Sequence, residues 1–139
     1  MEGDNSKITV LGSVNYDAFI FVERPPEVGE TITASGLKTA CGGKGANQAV
    51  TIGKLGYAVD FVGQFGGDSV SETIKQEMTA NNVNLSKAAT VESLPTGQAY
   101  IFSYPSKDNS IVVVGGANMD WSLNNLESLK QSISTCINI

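Results

Sequence analysis

Short β-branched runs alternate with longer segments of helical spacing along the chain. The first run, "KITVLG", ends at Gly12 and is followed at once by the polar stretch "SVNYD". This pattern predicts a buried strand with polar side chains at its C-terminal end. Ligands of open α/β sheets bind at that end of the strands, so Asn15 and Asp17 are candidate ligand contacts. "AFIFV" predicts a second strand, "ERPPEVGET" a loop, and "ITASGLKTA" a weaker strand or pair of strands.

Three segments have apolar residues at helical spacing. The first runs from Gly45 to Leu55, and "AVDFVG" after it predicts another strand. The second, "SVSETIKQEM", has Ser69 and Glu72 as a capping box and one apolar stripe that is typical of core packing. The third is predicted across "SLNNLESLKQSIS", from Ser122 to Ser134.

Between the second and third helices, "GQAYIFSYPSKDNSIVVVGG" predicts a β-hairpin with its loop at Pro105 to Asn109. The order of elements therefore indicates an α/β fold with a parallel core and an antiparallel appendage. The 139 residues contain no internal repeat or low-complexity tract and fit one domain.

Composition excludes several classes of function. Lys and Arg number 9 against 14 Asp and Glu, a net charge of −5, and no basic cluster is interleaved with aromatics, so we expect no nucleic-acid partner. The acidic N-terminus and the short apolar runs predict a cytoplasmic protein without a membrane partner. The chain has no histidine, which excludes nucleophiles paired with histidine and the usual zinc sites. Cys41 and Cys136 have no spacing typical of a metal site or a disulfide framework.

The glycine-rich stretch "CGGKGANQAV" turns directly into the first predicted helix. A phosphate-binding P-loop needs a glycine five positions before the Gly-Lys pair and a hydroxyl residue after the lysine, but Lys38 and Gly45 stand there. The dinucleotide fingerprint fails as well, because Gln48 replaces its last glycine. What remains is a helix N-terminus with Lys44 and Asn47, which suits a neutral ligand rich in hydroxyls.

Six stretches, taken in order, resemble one family: "GSVNYD", "RPPEVGET", "CGGKGANQAV", "FVGQFGGD", "TGQAYI" and "VVVGGAN". From about Ile8 to about Leu129 the chain resembles the N-terminal half of the ribokinase-like (PfkB) carbohydrate kinases. The lysine in "GGKGANQA" favours the ribokinase branch over fructokinases or adenosine kinases. The resemblance implies a mostly parallel sheet flanked by helices, with a small β lid built from the strands around Ala18 to Ala40 and the hairpin.

The resemblance also assigns substrate-binding residues on the first loop, the glycine-rich turn and the lid. They are Asn15, Asp17, Gly43, Lys44, Asn47, Ala99 and Ile101. Each has a plainer alternative: an Asx turn for the first pair, a solvated lysine in a glycine-rich turn, and ordinary core packing for the lid positions. Asp68 in "FVGQFGGD" matches a family position with a structural role ahead of a helix, so no catalytic residue or metal ligand is expected in this chain.

For the full-length family the resemblance implies ATP-dependent phosphorylation of D-ribose to D-ribose 5-phosphate, with magnesium and a monovalent cation. It also implies a homodimer formed through the β lid. Residues 1–139 are expected to be the N-terminal, sugar-binding and lid part of the kinase domain, with the catalytic aspartate and the ATP site in a C-terminal part outside them. We therefore expect the chain to be inactive alone. The alternative is a non-catalytic module that binds a pentose or pairs with a kinase.

Overall fold

The structure is a computed structural model that describes residues 8–120, 127, 130 and 131. In chain order the elements are β1 (Ile8–Leu11), β2 (Asn15–Phe21), β3 (Gly36–Gly42), α1 (Lys44–Lys54), β4 (Val59–Val62), β5 (Gln64–Gly66), α2 (Ser69–Ala80), β6 (Val83–Asn84), β7 (Ala89–Val91), β8 (Gly97–Ser103), β9 (Asn109–Val114) and a short 3₁₀ helix (Gly116–Met119). The predicted third helix, Ser122 to Ser134, lies outside the described residues except for three positions.

A parallel sheet in the order β1-β4-β6 carries the hydrophobic core. All four residues of β4 are buried, as expected for the central strand of a parallel sheet. Phe61 on β4 and Ile74 and Met78 on α2 belong to one buried cluster, and each is at most 1% exposed. Burial of a side chain of this size contributes roughly 1.5–3 kcal/mol. The apolar stripe that the sequence predicted on the second helix thus packs against the core.

A second sheet, in the order β3-β2-β8-β9, forms the lid. The hairpin β8–β9 and the pair β2–β3 are antiparallel, but the central pair β2–β8 is parallel. The predicted antiparallel appendage is therefore a mixed sheet. The reason is connectivity, because the antiparallel pairs join consecutive strands, whereas the chain passes through β3 to β7 between β2 and β8.

The ends of the two helices depend on particular residues. Gly56 after α1 has a φ of 87°, the left-handed conformation that the predicted helix end requires. At α2 the predicted capping box is wrong. The N-cap is Asp68, whose carboxylate accepts from the backbone N–H of Ser71, because Asp68 has the extended backbone of a cap and Ser69 is already helical.

Two strand predictions also differ from the structure. β2 begins at Asn15, so the polar stretch after β1 is largely strand rather than turn. The short strands β5, β6 and β7 have two or three residues each, too few to show an apolar period, and were not predicted.

Across the described ranges, no helix has the length and apolar character to cross a membrane.

Candidate functional site

The glycine-rich turn holds the start of α1 against the end of β1. Gly43 caps the helix with φ 90° and ψ 139°, and a Cβ there would lie 2.7 Å from Ser13 O and 2.8 Å from Val14 Cα. A Cβ on Gly45 would likewise lie 2.7 Å from Gly12 Cα. Only glycine permits these approaches. One helix amide is already used, because Ala46 N–H donates to Ser13 O at 3.0 Å.

Asp17 lies in the middle of β2 with its carboxylate over Gly42. A Cβ on Gly42 would come within 2.0 Å of Asp17 Oδ2, so the glycine provides the space for the carboxylate. The neighbours of Asp17 in register are Ala40 on β3 and Ala99 on β8, both small. The Asx-turn alternative for Asp17 does not apply, because the residue is within a paired strand.

The environment of Asp17 favours a ligand that donates hydrogen bonds. Its Oδ1 atom is buried and has no hydrogen-bond partner in the part of the chain that the structure describes. Burial raises the pKa of the Asp17 carboxyl. A buried acceptor without a partner costs free energy, about 1–3 kcal/mol, unless a ligand or water supplies a donor. The position is therefore suited to a hydroxyl group.

Four of the candidate residues share one face of the lid. Successive side chains of a strand point to opposite faces, so Asn15 and Asp17 lie on one face of β2, as do Ala99 and Ile101 on β8. The register pairs Asp17 with Ala99 and Phe19 with Ile101. Ala99 and Ile101 are each 6% exposed. Their burial fits both a cover for an apolar ligand surface and ordinary packing.

Lys44 and Asn47 lie on the first turns of α1 and are exposed. Asn47 lines a cleft of about 410 Å³ between α1 and β1, together with Val10 and Thr51. No hydrogen bond within the described residues joins Lys44 or Asn47 to Asn15 or Asp17. The structure thus groups Gly43 with Asn15 at the turn, beside Asp17 and Gly42, whereas Lys44 follows Gly43 directly and Asn47 lies one helical turn further along α1.

A second cleft, of about 240 Å³, opens at the carboxyl ends of β1 and β4. Its lining includes Gly12, Ser13, Gly63 and Asn118. Asn118 also donates from Nδ2 to Asn15 Oδ1 at 2.9 Å. The cleft and the polar pair on β2 therefore meet at Asn118, at the edge of the sheet where ligands of α/β folds bind.

Residues 5–136 match the family described as pfkB family carbohydrate kinase. The chain belongs to the PfkB family of carbohydrate kinases. It is 41% identical over 114 residues to the ribokinase of Arabidopsis thaliana, a match that covers 81% of this chain and 30% of that protein. It is 38% identical over 128 residues to the ribokinase of Bacillus subtilis, covering 89% of this chain and 43% of that protein.

A solved PfkB-family structure has the same fold. The structure of Arabidopsis thaliana ribokinase complexed with ribose and ATP aligns with a TM-score of 0.77 and 38% identity, covering 88% of this chain and 42% of that one. The predicted resemblance and the ribokinase-like α/β fold are confirmed. The chain spans 30% to 43% of the length of these relatives.

Asp68 anchors α2 to the segment that enters the lid. Its carboxylate accepts from Thr96 N at 2.9 Å and Thr96 Oγ1 at 2.7 Å, besides capping the helix. Burial opposes ionisation, but the hydrogen bonds from Thr96 and Ser71 outweigh it and hold the pKa of the Asp68 carboxyl below its usual value. All these contacts are made within the chain, and Thr96, which is fully buried, directly precedes β8.

Sequence reasoning missed Asn118. The residue lies in "VVVGGAN", one of the stretches that carried the family resemblance, but nothing in its local pattern distinguishes it from a turn asparagine. Its partners Val14 and Asn15 are more than 100 positions away in the chain, at separations of 104 and 103. A contact of that range cannot be inferred from spacing alone.

Proposed function

We propose that this chain forms the sugar-binding and lid part of an ATP-dependent ribokinase that converts D-ribose to D-ribose 5-phosphate. The observation that carries the proposal is the buried, unpartnered Oδ1 of Asp17 over Gly42, at the junction of lid and helix among the described residues. A sugar hydroxyl is a donor of the size that this position requires. The ribokinase relatives and the ribose complex of the Arabidopsis protein support ribose as the substrate.

Each candidate residue then has a physical task. Asp17 accepts hydrogen bonds from sugar hydroxyls, and each such charge-assisted bond contributes about 1.5–3 kcal/mol when water is excluded. Gly43 lets the backbone approach the sugar, while Lys44 offers three donors and Asn47 both a donor and an acceptor. Ala99 and Ile101 cover the apolar face of the sugar and keep water out.

The phosphoryl group is supplied by ATP in this proposal, with magnesium and a monovalent cation. Within the described residues, no group of three or more His, Cys, Asp or Glu side chains is placed to hold a metal ion. We assign the nucleotide and its metal, together with the catalytic aspartate, to the C-terminal portion of the relatives that this chain does not span. Residues 1–139 then bind sugar without turning it over.

The lid is also the surface through which we propose a homodimer. Leu37, Tyr100, Val112 and Val114 lie on its face opposite Asp17 and are 68%, 37%, 56% and 43% exposed. Apolar side chains grouped in this way favour a protein partner. The same surface supports the alternative function, a non-catalytic module that binds a pentose and pairs with a kinase.

Calorimetric titration of the 139-residue chain with D-ribose tests the sugar site. We expect binding by the wild type and a loss of affinity of about tenfold to a hundredfold in Asp17→Asn, which keeps the shape and removes the charge. Unchanged affinity in that variant would rule the site out.

Two further experiments test the substrate and the division of labour. A parallel titration with 2-deoxy-D-ribose determines which pentose is preferred. An ADP-release assay that detects turnover by the chain alone would contradict the assignment of catalysis to other residues.

A further inference from the structure

The side chain of Asn118 forms two hydrogen bonds to the backbone at the end of the segment between β1 and β2. Its Oδ1 accepts from Val14 N at 3.0 Å, and its Nδ2 donates to Val14 O at 2.9 Å. Because a backbone N–H can only donate and a carbonyl can only accept, these two bonds leave one orientation for the Asn118 amide. Val14 is fully buried, so these two hydrogen bonds anchor Asn118 to the protein core.

The fixed amide of Asn118 in turn fixes Asn15. Asn118 Nδ2 lies 2.9 Å from Asn15 Oδ1, and a donor requires an acceptor at that distance. A Cβ on Gly97 would lie 2.1 Å from Asn118 Nδ2 and 2.4 Å from Asn15 Oδ1, so the glycine at the start of β8 makes room for this pair. The oxygen of Asn15 is thereby held toward Asn118, and the NH₂ group is the end of the amide that faces away from Asn118 and remains for a ligand.

We propose that Asn118 is a positioning residue that orients the Asn15 amide so that its NH₂ group is the donor offered to the sugar. Asn15 and Asp17 lie two residues apart on one face of β2, so the site offers a fixed donor beside an acceptor. A hydroxyl accepts from Asn15 Nδ2 and donates to Asp17 Oδ1 at the same time, whereas a group with only one of these capacities satisfies one residue. The inference rests on the proposed sugar site and adds the direction of its hydrogen bonds.

Amide-proton exchange of the side chains, measured by NMR on the sugar-free wild-type chain, tests the orientation without any ligand. We expect the Nδ2 protons of Asn118 to be protected and those of Asn15 to exchange freely, until added D-ribose protects them. Protected Asn15 protons in the sugar-free chain would overturn the proposal. The exposed Asn109 at the start of β9 is the reference for a free amide.

Two variants test the consequence for affinity. In Asn118→Asp the carboxylate still accepts from Val14 N but cannot donate to Asn15, so the Asn15 amide turns its NH₂ group inward and D-ribose affinity falls about three- to tenfold, the equivalent of one neutral hydrogen bond. Asn118→Ala is expected to lose at least as much, with Asn109→Ala as the control that binds like wild type. Thermal unfolding of each variant identifies any that fail to fold.

The outcomes separate this inference from the proposed function. If the wild-type chain does not bind D-ribose, the sugar site itself is refuted and the inference with it. If the wild type binds and both folded Asn118 variants bind equally well, only the positioning role is refuted. Both are supported if Asn118→Asp binds D-ribose more weakly and the Asn15 amide protons of the sugar-free wild type exchange freely.

Discussion

The carboxylate of Asp17 occupies the space that a side chain at Gly42 would fill, since a Cβ there would lie 2.0 Å from Asp17 Oδ2. Asp17 on β2 and Gly42 at the end of β3 thus form one unit of the candidate sugar site. The unit joins the lid to the turn before α1. A change at either residue should affect the other, which leads to the first prediction.

Gly42→Ala is expected to weaken D-ribose binding by at least about tenfold, because the new methyl group displaces a carboxylate that contributes a charge-assisted hydrogen bond. Calorimetric titration measures the change. Gly36→Ala, at the other end of β3, is the matched control, since its Cβ would lie 3.5 Å from Phe21 Cδ2, an ordinary contact. Equal affinity in Gly42→Ala and Gly36→Ala would show that the carboxylate position does not matter for the sugar.

Asp17→Asn is expected to stabilise the sugar-free protein at neutral pH while it weakens sugar binding. Burial raises the pKa of Asp17 above its ordinary value, so the ionised carboxylate is disfavoured in the folded state. Wild type is therefore more stable at low pH, where Asp17 is protonated, than at neutral pH. This extra stability is fully present below the ordinary pKa of an aspartate and is lost as the pH rises through the raised pKa. The advantage of the variant should therefore be largest at neutral pH and shrink in acid.

Thermal unfolding of wild type and Asp17→Asn between about pH 4 and pH 7.5 measures this difference. Glu23→Gln, a carboxylate-to-amide change at an exposed position, is the control for the substitution itself. A variant that is less stable than wild type at neutral pH would mean that Asp17 has a stabilising partner. Wild-type sugar affinity should itself fall as the pH drops below the raised pKa.

Asp68→Ala is expected to lower the free energy of unfolding by about 2 kcal/mol, because it removes both a helix cap and the acceptors for buried Thr96. Urea denaturation measures the loss. Ser69→Ala is the matched control and should cost less than about 0.5 kcal/mol, since Ser69 is not the cap. A larger loss in the free energy of unfolding for Ser69→Ala than for Asp68→Ala would support the capping box that the sequence predicted.

The stability from Asp68 should also depend on pH. Hydrogen bonds hold the pKa of its carboxyl below the usual value, so its contribution is present above the ordinary pKa of an aspartate and is lost as the pH falls through the lowered one. The difference between wild type and Asp68→Ala should therefore persist at neutral pH and disappear in strong acid.

How much of this could be read from the sequence depends on the range of the interactions. The α2 stripe of Ile74 and Met78 is a local pattern, and it packs as predicted. The cap at Asp68 was misassigned by one residue because Ser69 and Glu72 also satisfy a local capping rule. The hydrogen bond between Asn118 and Asn15 joins segments 103 residues apart, and no local pattern encodes it.

Cys41 is expected to be nearly inert toward alkylating reagents. Burial, with the nearby carboxylates of Glu77 and Asp17, raises the pKa of its thiol to about 12. At pH 8 its thiolate fraction is then smaller than that of a free cysteine by about a thousandfold. Iodoacetamide labelling followed by peptide mass spectrometry measures the rate, and the urea-unfolded chain is the control, in which Cys41 should react normally. Fast labelling of the folded chain would place Cys41 in an open, solvated site.

The lid surface gives the last prediction. If the exposed apolar face pairs two copies, Val112→Asp should dissociate the dimer, because it places a charge among apolar side chains that are buried on association. Sedimentation of the wild-type chain and the variant at equal concentration measures the change. Val28→Asp is the matched control, since Val28 is fully exposed in the loop between β2 and β3 and outside the lid face.

A wild type that sediments as a monomer would contradict the homodimer, and a dimer that Val112→Asp leaves intact would place the interface elsewhere. Because Val112 and Asp17 lie on opposite faces of the lid, a monomeric Val112→Asp variant that still binds D-ribose would separate association from sugar recognition.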